Sequence, residues 1–245
     1  MTRVIARLDT KNGLVIKGIQ FDGQRKIGDP VELAYNYYIQ GADEIIFLDS
    51  VATLYGNKAL FEIISVACKS IFIPITMGGG INTVNDVSLA LKAGADKVAI
   101  NSSLVKRPEL IKEITSRYGS QCLVGSIEAK KIGSSSWFVY VNNGRDSTGI
   151  DVVKWASHLE LMGVGELLIT SVDRDGTRRG MDIDLIEAVR SAVNIPVTAS
   201  GGIGALDDIK VLFKTTSVEG LAIASALHYK KLTINEVKLL VSKLN

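Results

Sequence analysis

With two cysteines and two histidines in 245 residues, the chain has little with which to hold a transition metal. Cys68 and Cys122 lack CxxC spacing, and His158 and His228 stand far apart. A zinc site needs about four nitrogen or sulfur ligands, or three and a water, so the sequence argues against metal chemistry. Such sparse cysteine suits a reducing cytosol. An excess of charge of one sign is also lacking. The formal net charge is +2, with acids and bases interspersed, whereas nucleic-acid binding needs a clustered basic surplus. No apolar run approaches the roughly 18 residues of a membrane span, and the opening "MTRVIARLDT" has no signal-peptide core. These absences predict a soluble, cytoplasmic protein that engages neither nucleic acid nor membrane.

Hydrophobic residues are plentiful, at 47%. That supplies a large core, and the length suits one (β/α)8 barrel domain over residues 1–245. Eight short apolar runs recur: "VIARL", "EIIFLD", "FIPITM", "KVAIN", "CLVGSI", "ELLITS", "IPVTAS" and "GLAIA". Helix-length segments of 3.6-residue period separate them, among them "DPVELAYNYYIQG", "VNDVSLALKAG" and "DLIEAVRSAV". Alternation of this kind reads as βαβ units and a parallel sheet. Eight units favour closure into an α/β TIM barrel. A doubly wound sheet is the alternative, but the GxGxxG turn common there is absent after the first strand.

The two halves echo each other. "IPITMGGGI" at 73–81 matches "IPVTASGGI" at 195–203, "KVAINSS" at 97–103 matches "GLAIASA" at 220–226, and "VIARLDTK" at 4–11 matches "LVGSIEAK" at 123–130. The offsets of 122, 123 and 119 residues imply two half-barrels about a pseudo-two-fold axis. In that arrangement Asp9 ends the first strand and Glu128 the fifth, on opposite sides of the barrel. Active sites of such barrels lie at the C-terminal ends of the strands. One acid at a strand end is ordinary. Two at repeat-equivalent positions make a candidate catalytic pair, because acid–base work needs groups on both sides of a substrate.

Glycines follow the third and seventh strands, at 78–80 and 201–202. Asn101-Ser102 and Ala224-Ser225 follow the fourth and eighth. Glycine lets backbone N–H groups approach a phosphate closely, although tight turns use the same residues. Duplicated cups half a barrel apart predict a substrate with a phosphate at each end, lying across Asp9 and Glu128. "SVDRDGTRRG" after the sixth strand adds Asp175, Gly176 and Thr177, an Asp-Gly turn on the same face.

Through "LDTKNGLVIKGIQF", "PITMGGGI", "AGADKVAINSS", "NNGRDSTGID", "GVGELLITSVDRDGTRRGMD" and "ASGGIG", the chain resembles, over essentially its whole length, the cyclase subunits of imidazole glycerol phosphate synthase in histidine biosynthesis. That resemblance implies a (β/α)8 barrel, no cofactor, and a heterodimer with a glutaminase subunit. The glutaminase sends ammonia through the barrel to a bisphosphorylated ribulosyl aminoimidazole carboxamide substrate. The products are imidazole glycerol phosphate and an aminoimidazole carboxamide ribotide. The family's catalytic pair falls on Asp9 and Glu128. Its substrate- and phosphate-binding residues fall on Lys17, Gly80, Asn101, Ser102, Thr170, Asp175, Gly176, Gly202, Ala224 and Ser225. Its charged ammonia gate falls on Arg3, Glu44, Lys97 and Glu166, and its glutaminase contact on Asp96.

Two positions depart from the family pattern, which has "IDAK" for this chain's "IEAK" and "CLD" for its "RLD". Side chains alternate along a strand, so Arg7 shares the inward face of Asp9. A buried charge needs a partner, and Arg7 is expected to pair with Glu128, Asp9 or both. The expected result is lowered pKa values for both acids, with Glu128 a poor general acid, Asp9 the main base and the ammonia route narrowed. The same departures suit a second reading: a paralogous ammonia conduit serving a sugar amidotransferase in surface-polysaccharide synthesis. A third reading is the related sugar isomerase of the histidine pathway. The segment "KGIQFDGQRKIGDP" reads as a mobile lid.

Overall fold

The computed structural model describes residues 2–50 and 58–244. Twelve strands run in chain order: β1 Arg3–Lys11, β2 Leu14–Ile19, β3 Asp22–Gly28, β4 Glu44–Asp49, β5 Ile75–Gly78, β6 Lys97–Ile100, β7 Leu123–Gly133, β8 Ser136–Val141, β9 Asp146–Asp151, β10 Glu166–Ser171, β11 Val197–Ser200 and β12 Gly220–Ile223. Eight of them, β1, β4, β5, β6, β7, β10, β11 and β12, pair in parallel and close into a ring, since β1 bonds to β12 and β7 to β10. These are the eight apolar runs of the sequence, and the chain is a (β/α)8 barrel. β1 and β7 stand four places apart in that ring, on opposite walls.

The other four strands were not anticipated. β2 and β3 form an antiparallel hairpin on the end of β1, and β8 and β9 form one on the end of β7. The half-barrel repeat therefore extends to the mouth. The first hairpin occupies the segment expected to be a mobile lid. That segment is hydrogen-bonded strand, tied to the loop after β10 by the Gln20 N–H donating to the Asp175 carbonyl at 2.8 Å.

Helices follow the predicted periods and carry recognisable caps. Asp29 accepts the Val31 and Glu32 N–H groups ahead of the helix Pro30–Ile39. Thr83 and Asp86 form a capping box for Val84–Ala93, which ends on left-handed Gly94. At the repeat-equivalent place Asp208 accepts the Gly204 and Ala205 N–H groups. Among the described residues no helix is long and apolar enough to cross a membrane.

The main core lies between sheet and helices, with Leu8, Phe47, Met77, Ile127 and Ile169 fully buried. Inside the barrel a smaller apolar ring is made by Ile5, Ile46, Ala99, Val124, Leu168 and Ala222. It separates two polar layers, one at the starts of the strands and one at their ends. Removing most of a buried aromatic ring from the outer core leaves a cavity: Phe47→Ala is expected to destabilise the chain by about 3–5 kcal/mol, read as a lower urea midpoint with an unchanged slope.

Candidate functional site

The alternation that turns every second residue of β1 inward stacks Arg3, Ile5, Arg7 and Asp9 up one wall of the bore. Arg3 belongs to a closed ring of four charges at the strand starts. It bonds Glu44 and Glu166, each at 2.5 Å, and Lys97 bonds the same two acids at 2.9 and 3.0 Å. Thr76 and Thr198 donate to Glu44 and Glu166 at 2.6 and 2.8 Å. Both the acids and the threonines are related by an offset of 122 residues (166 − 44 and 198 − 76), so the ring inherits the repeat. Burial alone would raise the Glu166 carboxyl, but Arg3 and Lys97 hold it below its ordinary value. The four residues predicted to act together are thus in mutual contact. Asp96, beside the ring, is exposed and accepts the Ile75 N–H at 2.8 Å. Asp43 and Glu219 cap Val4 and Val197 in the same way, so Asp96 has a structural use of its own.

Above the apolar ring sits the second polar layer. Arg7, 3% exposed, donates from Nε to Asp9 Oδ1 at 2.8 Å, and from a terminal nitrogen to the hydroxyls of Thr170 at 2.9 Å and Ser200 at 3.1 Å. Lys17 donates to the other Asp9 oxygen at 2.8 Å and to both oxygens of Asp175 at 2.9 and 3.0 Å. A register shift in β2 between Lys17 and Ile19 is the kind of bulge that re-aims a side chain, and the Lys17 ammonium is buried as a result. Arg7, Asp9, Lys17 and Asp175 form one buried chain of alternating charge. Burial alone would raise the Asp9 carboxyl, yet the two cations hold it well below the usual carboxylate range.

Glu128 behaves differently, which corrects the expectation from sequence. No ion pair joins it to Arg7 among the described residues. Its Oε2 accepts the Gly144 N–H at 2.7 Å. Only a part of Glu128 reaches solvent in the pocket, and burial pushes its carboxyl up to about 7, against the opposing pull of the Gly144 N–H and the more distant Arg7 charge. The Arg7 ion pair with Asp9 was anticipated; the one with Glu128, and the lowered Glu128 pKa, are not found. The two acids are therefore shifted in opposite directions. Asp9 is held as an anion, and Glu128 titrates where a proton carrier is useful.

One pocket joins Arg7, Asp9, Ser126 and Glu128 to the first glycine cup, through Gly79, Gly80, Asn101 and Ser102. A separate recess joins Asp175 and Gly176 to Gly201, Gly202, Ala224 and Ser225. Asn101 and Ala224 share an unusual backbone, with φ −114°, ψ −85° and φ −121°, ψ −81°, and each opens a short helix. The two cups are therefore alike in conformation as well as in sequence. Gly202 has φ +100°, and a Cβ there would overlap the Gly180 carbonyl oxygen, so only glycine fits. The hydroxyl oxygen of Thr170, predicted to bind substrate, accepts a hydrogen bond from Arg7.

Sequence reasoning missed several lining residues. Asn142 and Asn143, at φ +53° and +61°, turn the β8–β9 hairpin and line the first pocket; the "NNG" triplet between alternating residues was the available signal. Asp49, also on that pocket, ends β4 as Asp9 nears the end of β1. In the other hairpin Gln20 and Phe21 adopt φ +52° and +66° without glycine, a conformation that costs non-glycine residues roughly 1–2 kcal/mol each. Phe21 thereby lies over the Arg7 guanidinium, 5.8 Å from ring centre to carbon, and against Gly144, where a Cβ would come within 2.8 Å of the ring.

Comparison with known proteins agrees with this geometry. The sequence model of a family described as histidine biosynthesis protein matches residues 3–233. The imidazole glycerol phosphate synthase subunit HisF of Bacillus cereus (strain Q1) is 47% identical over 236 residues, 96% of this chain and 94% of its own. The protein of the same description from Prochlorococcus marinus subsp. pastoris is 48% identical over 238 residues, 96% of this chain and 93% of its own.

If the second cup holds a phosphate, Gly202→Ala must displace its backbone. Affinity for inorganic phosphate, read by phosphorus NMR titration, is expected to fall about tenfold or more, a change of ~1.4 kcal/mol. Unchanged affinity would mean that phosphate does not sit there.

Proposed function

The chain belongs to the family of histidine biosynthesis proteins, and from the site just described we infer how it does its work as the synthase subunit of imidazole glycerol phosphate synthase. The observation that carries the reading is the pair of like cups flanking two unlike carboxylates. A bisphosphorylated ribulosyl substrate places one phosphate at Gly80, Asn101 and Ser102 and the other at Gly176, Gly202, Ala224 and Ser225. Its ketone then lies over Asp9 and Glu128. Ammonia adds to the ketone carbon. The former carbonyl oxygen takes one proton from the added nitrogen and a second from Glu128 and leaves as water, and ring closure expels the aminoimidazole carboxamide ribotide. Asp9, an anion fixed between Arg7 and Lys17, steadies the positive charge that nitrogen acquires. Lys17 positions Asp9 and Asp175.

Ammonia is supplied by a glutaminase partner docked at the strand starts, in the cytoplasm. The support is the charged ring at that end of the bore, together with the apolar surface beside it. Phe72 is 76% and Ile39 62% exposed, and Tyr38 meets Phe72 edge-on at 6.4 Å. Free ammonia bypasses the partner. Purified chain given the bisphosphate and ammonium salt is expected to turn over. Asp9→Asn is expected to cost at least about 100-fold in kcat. At a fixed concentration of unprotonated ammonia, kcat is expected to fall as pH rises through about 7, where Glu128 loses its proton, and Glu128→Gln is expected to abolish that inflection along with most activity. Binding of the bisphosphate without turnover would favour the conduit reading instead.

A further inference from the structure

Arg7 is a full charge in the interior of a barrel, bonded to three strands at once: Asp9 on its own strand, Thr170 on β10 and Ser200 on β11. A guanidinium with its terminal nitrogen fixed by two hydroxyls has little freedom left, and its Nε must then present one hydrogen bond in one direction. That direction is Asp9 Oδ1. Lys17 holds Oδ2, and the Phe21 ring covers the guanidinium from the mouth side. Glu128, on the opposite wall, receives the Gly144 N–H and a hydrogen bond from the Asn101 side chain, and no ion pair among the described residues. Arg7 contributes to the asymmetry between two acids placed by a symmetric repeat, because its repeat partner is the uncharged Ser126, at an offset of 119 residues.

We propose that Arg7 is a positioning residue: anchored by Thr170 and Ser200, it fixes Asp9 in place as a standing anion and thereby assigns the proton-carrying role to Glu128. This rests on the reading of Asp9 and Glu128 as the working pair, and it deepens that reading. The charged and titratable groups around Asp9 are Arg7 from β1, Lys17 from β2, Asp175 from the loop after β10, Glu128 from β7, and His228 from the short helix Ser225–His228. Asp49 from β4 lines the same pocket. Of these, Arg7 and Lys17 alone touch the Asp9 carboxylate among the described residues, so loss of Arg7 removes half of its direct compensation. Burial then works on Asp9 as it already works on Glu128.

The test follows the two carboxyls directly. Protein labelled with carbon-13 in aspartate and glutamate side-chain carboxyls is titrated by NMR from about pH 4 to 9, with Asp9→Asn and Glu128→Gln proteins assigning the two signals. In the unaltered chain Asp9 is expected to stay ionised throughout, and Glu128 to titrate near 7. In Arg7→Met, which keeps an unbranched chain without the charge, Asp9 is expected to titrate inside the window and Glu128 to move to higher pH. With ammonium as nitrogen source, kcat is expected to drop about 10- to 100-fold while KM for the bisphosphate changes less than about threefold. Arg7→Lys is expected to return Asp9 to the ionised state and recover part of kcat. Ser200→Ala, which loosens the anchor and keeps the charge, is expected to shift both signals in the same sense by less, and it carries the test should Arg7→Met not fold. An Asp9 signal unchanged in folded Arg7→Met overturns the proposal, even if kcat falls, because Arg7 would then be filling space. An altered Asp9 titration in a chain that never turns over would instead count against the catalytic reading and leave the positioning role standing.

Discussion

The buried run Arg7–Asp9–Lys17–Asp175 is the interaction on which the mouth of this barrel depends. Four charges of alternating sign lie almost entirely out of water, at 3%, 8%, 3% and 3% exposure. Each member alone would be costly to bury, and even matched pairs in a protein interior seldom exceed their desolvation penalty by much. Stability is therefore a weak reason for the arrangement. What it supplies is geometry. One chain of contacts ties β1 to the β2–β3 hairpin and to the loop after β10, and through Thr170 and Ser200 it reaches β10 and β11. Lys17 is one of the links that fasten the hairpin to the barrel, beside the pairing of β1 with β2 and the Gln20 N–H, so the hairpin's place over the site and the charge around Asp9 are set together.

Duplication explains most of the remaining architecture. Glu44 and Glu166, Thr76 and Thr198, Asn101 and Ala224, and the paired hairpins on β1 and β7 all repeat across the pseudo-two-fold axis. A symmetric scaffold suits a substrate with a phosphate at each end, but chemistry at the centre of such a substrate is directional. The symmetry is broken at the two acids, where Arg7 and Lys17 hold Asp9 while the Gly144 N–H and the Asn101 side chain serve Glu128. Three layers of the bore follow in order: a neutral ring of four charges, an apolar ring, and the Arg7 layer. A small uncharged molecule suits the apolar stretch better than an ion does.

Much of this was legible in the amino-acid sequence because periodicity and repetition report on backbone and burial. The eight barrel strands, the repeat and the two glycine turns are local patterns and lie where the patterns put them, while the four charges that form the ring at the strand starts were picked out by the family resemblance. The hairpins were not legible in the same way. β3 is exposed along most of its length, so it shows no apolar alternation. Its turn uses Gln20 and Phe21 at positive φ, where sequence rules look for Asn-Gly or glycine. The partner of Arg7 was half legible: alternation placed it inward beside Asp9, but the choice between Asp9 and Glu128 depends on how far a guanidinium reaches once Thr170 and Ser200 hold it. Those hydroxyls are 163 and 193 residues away. The raised Glu128 pKa was misjudged for the same reason, since burial in three dimensions outweighs the proximity of a charge that alternation alone suggests.

The central claim is that one doubly phosphorylated molecule spans both cups with its reactive carbon between Asp9 and Glu128. A crystal structure with a bisphosphorylated, unreactive substrate analogue tests it most directly. The account predicts one phosphate against Gly80, Asn101 and Ser102, the other against Gly202 and Ser225, and the analogue's central oxygen within hydrogen-bonding distance of Glu128. An analogue held by one cup alone, with both carboxylates facing solvent, would contradict it.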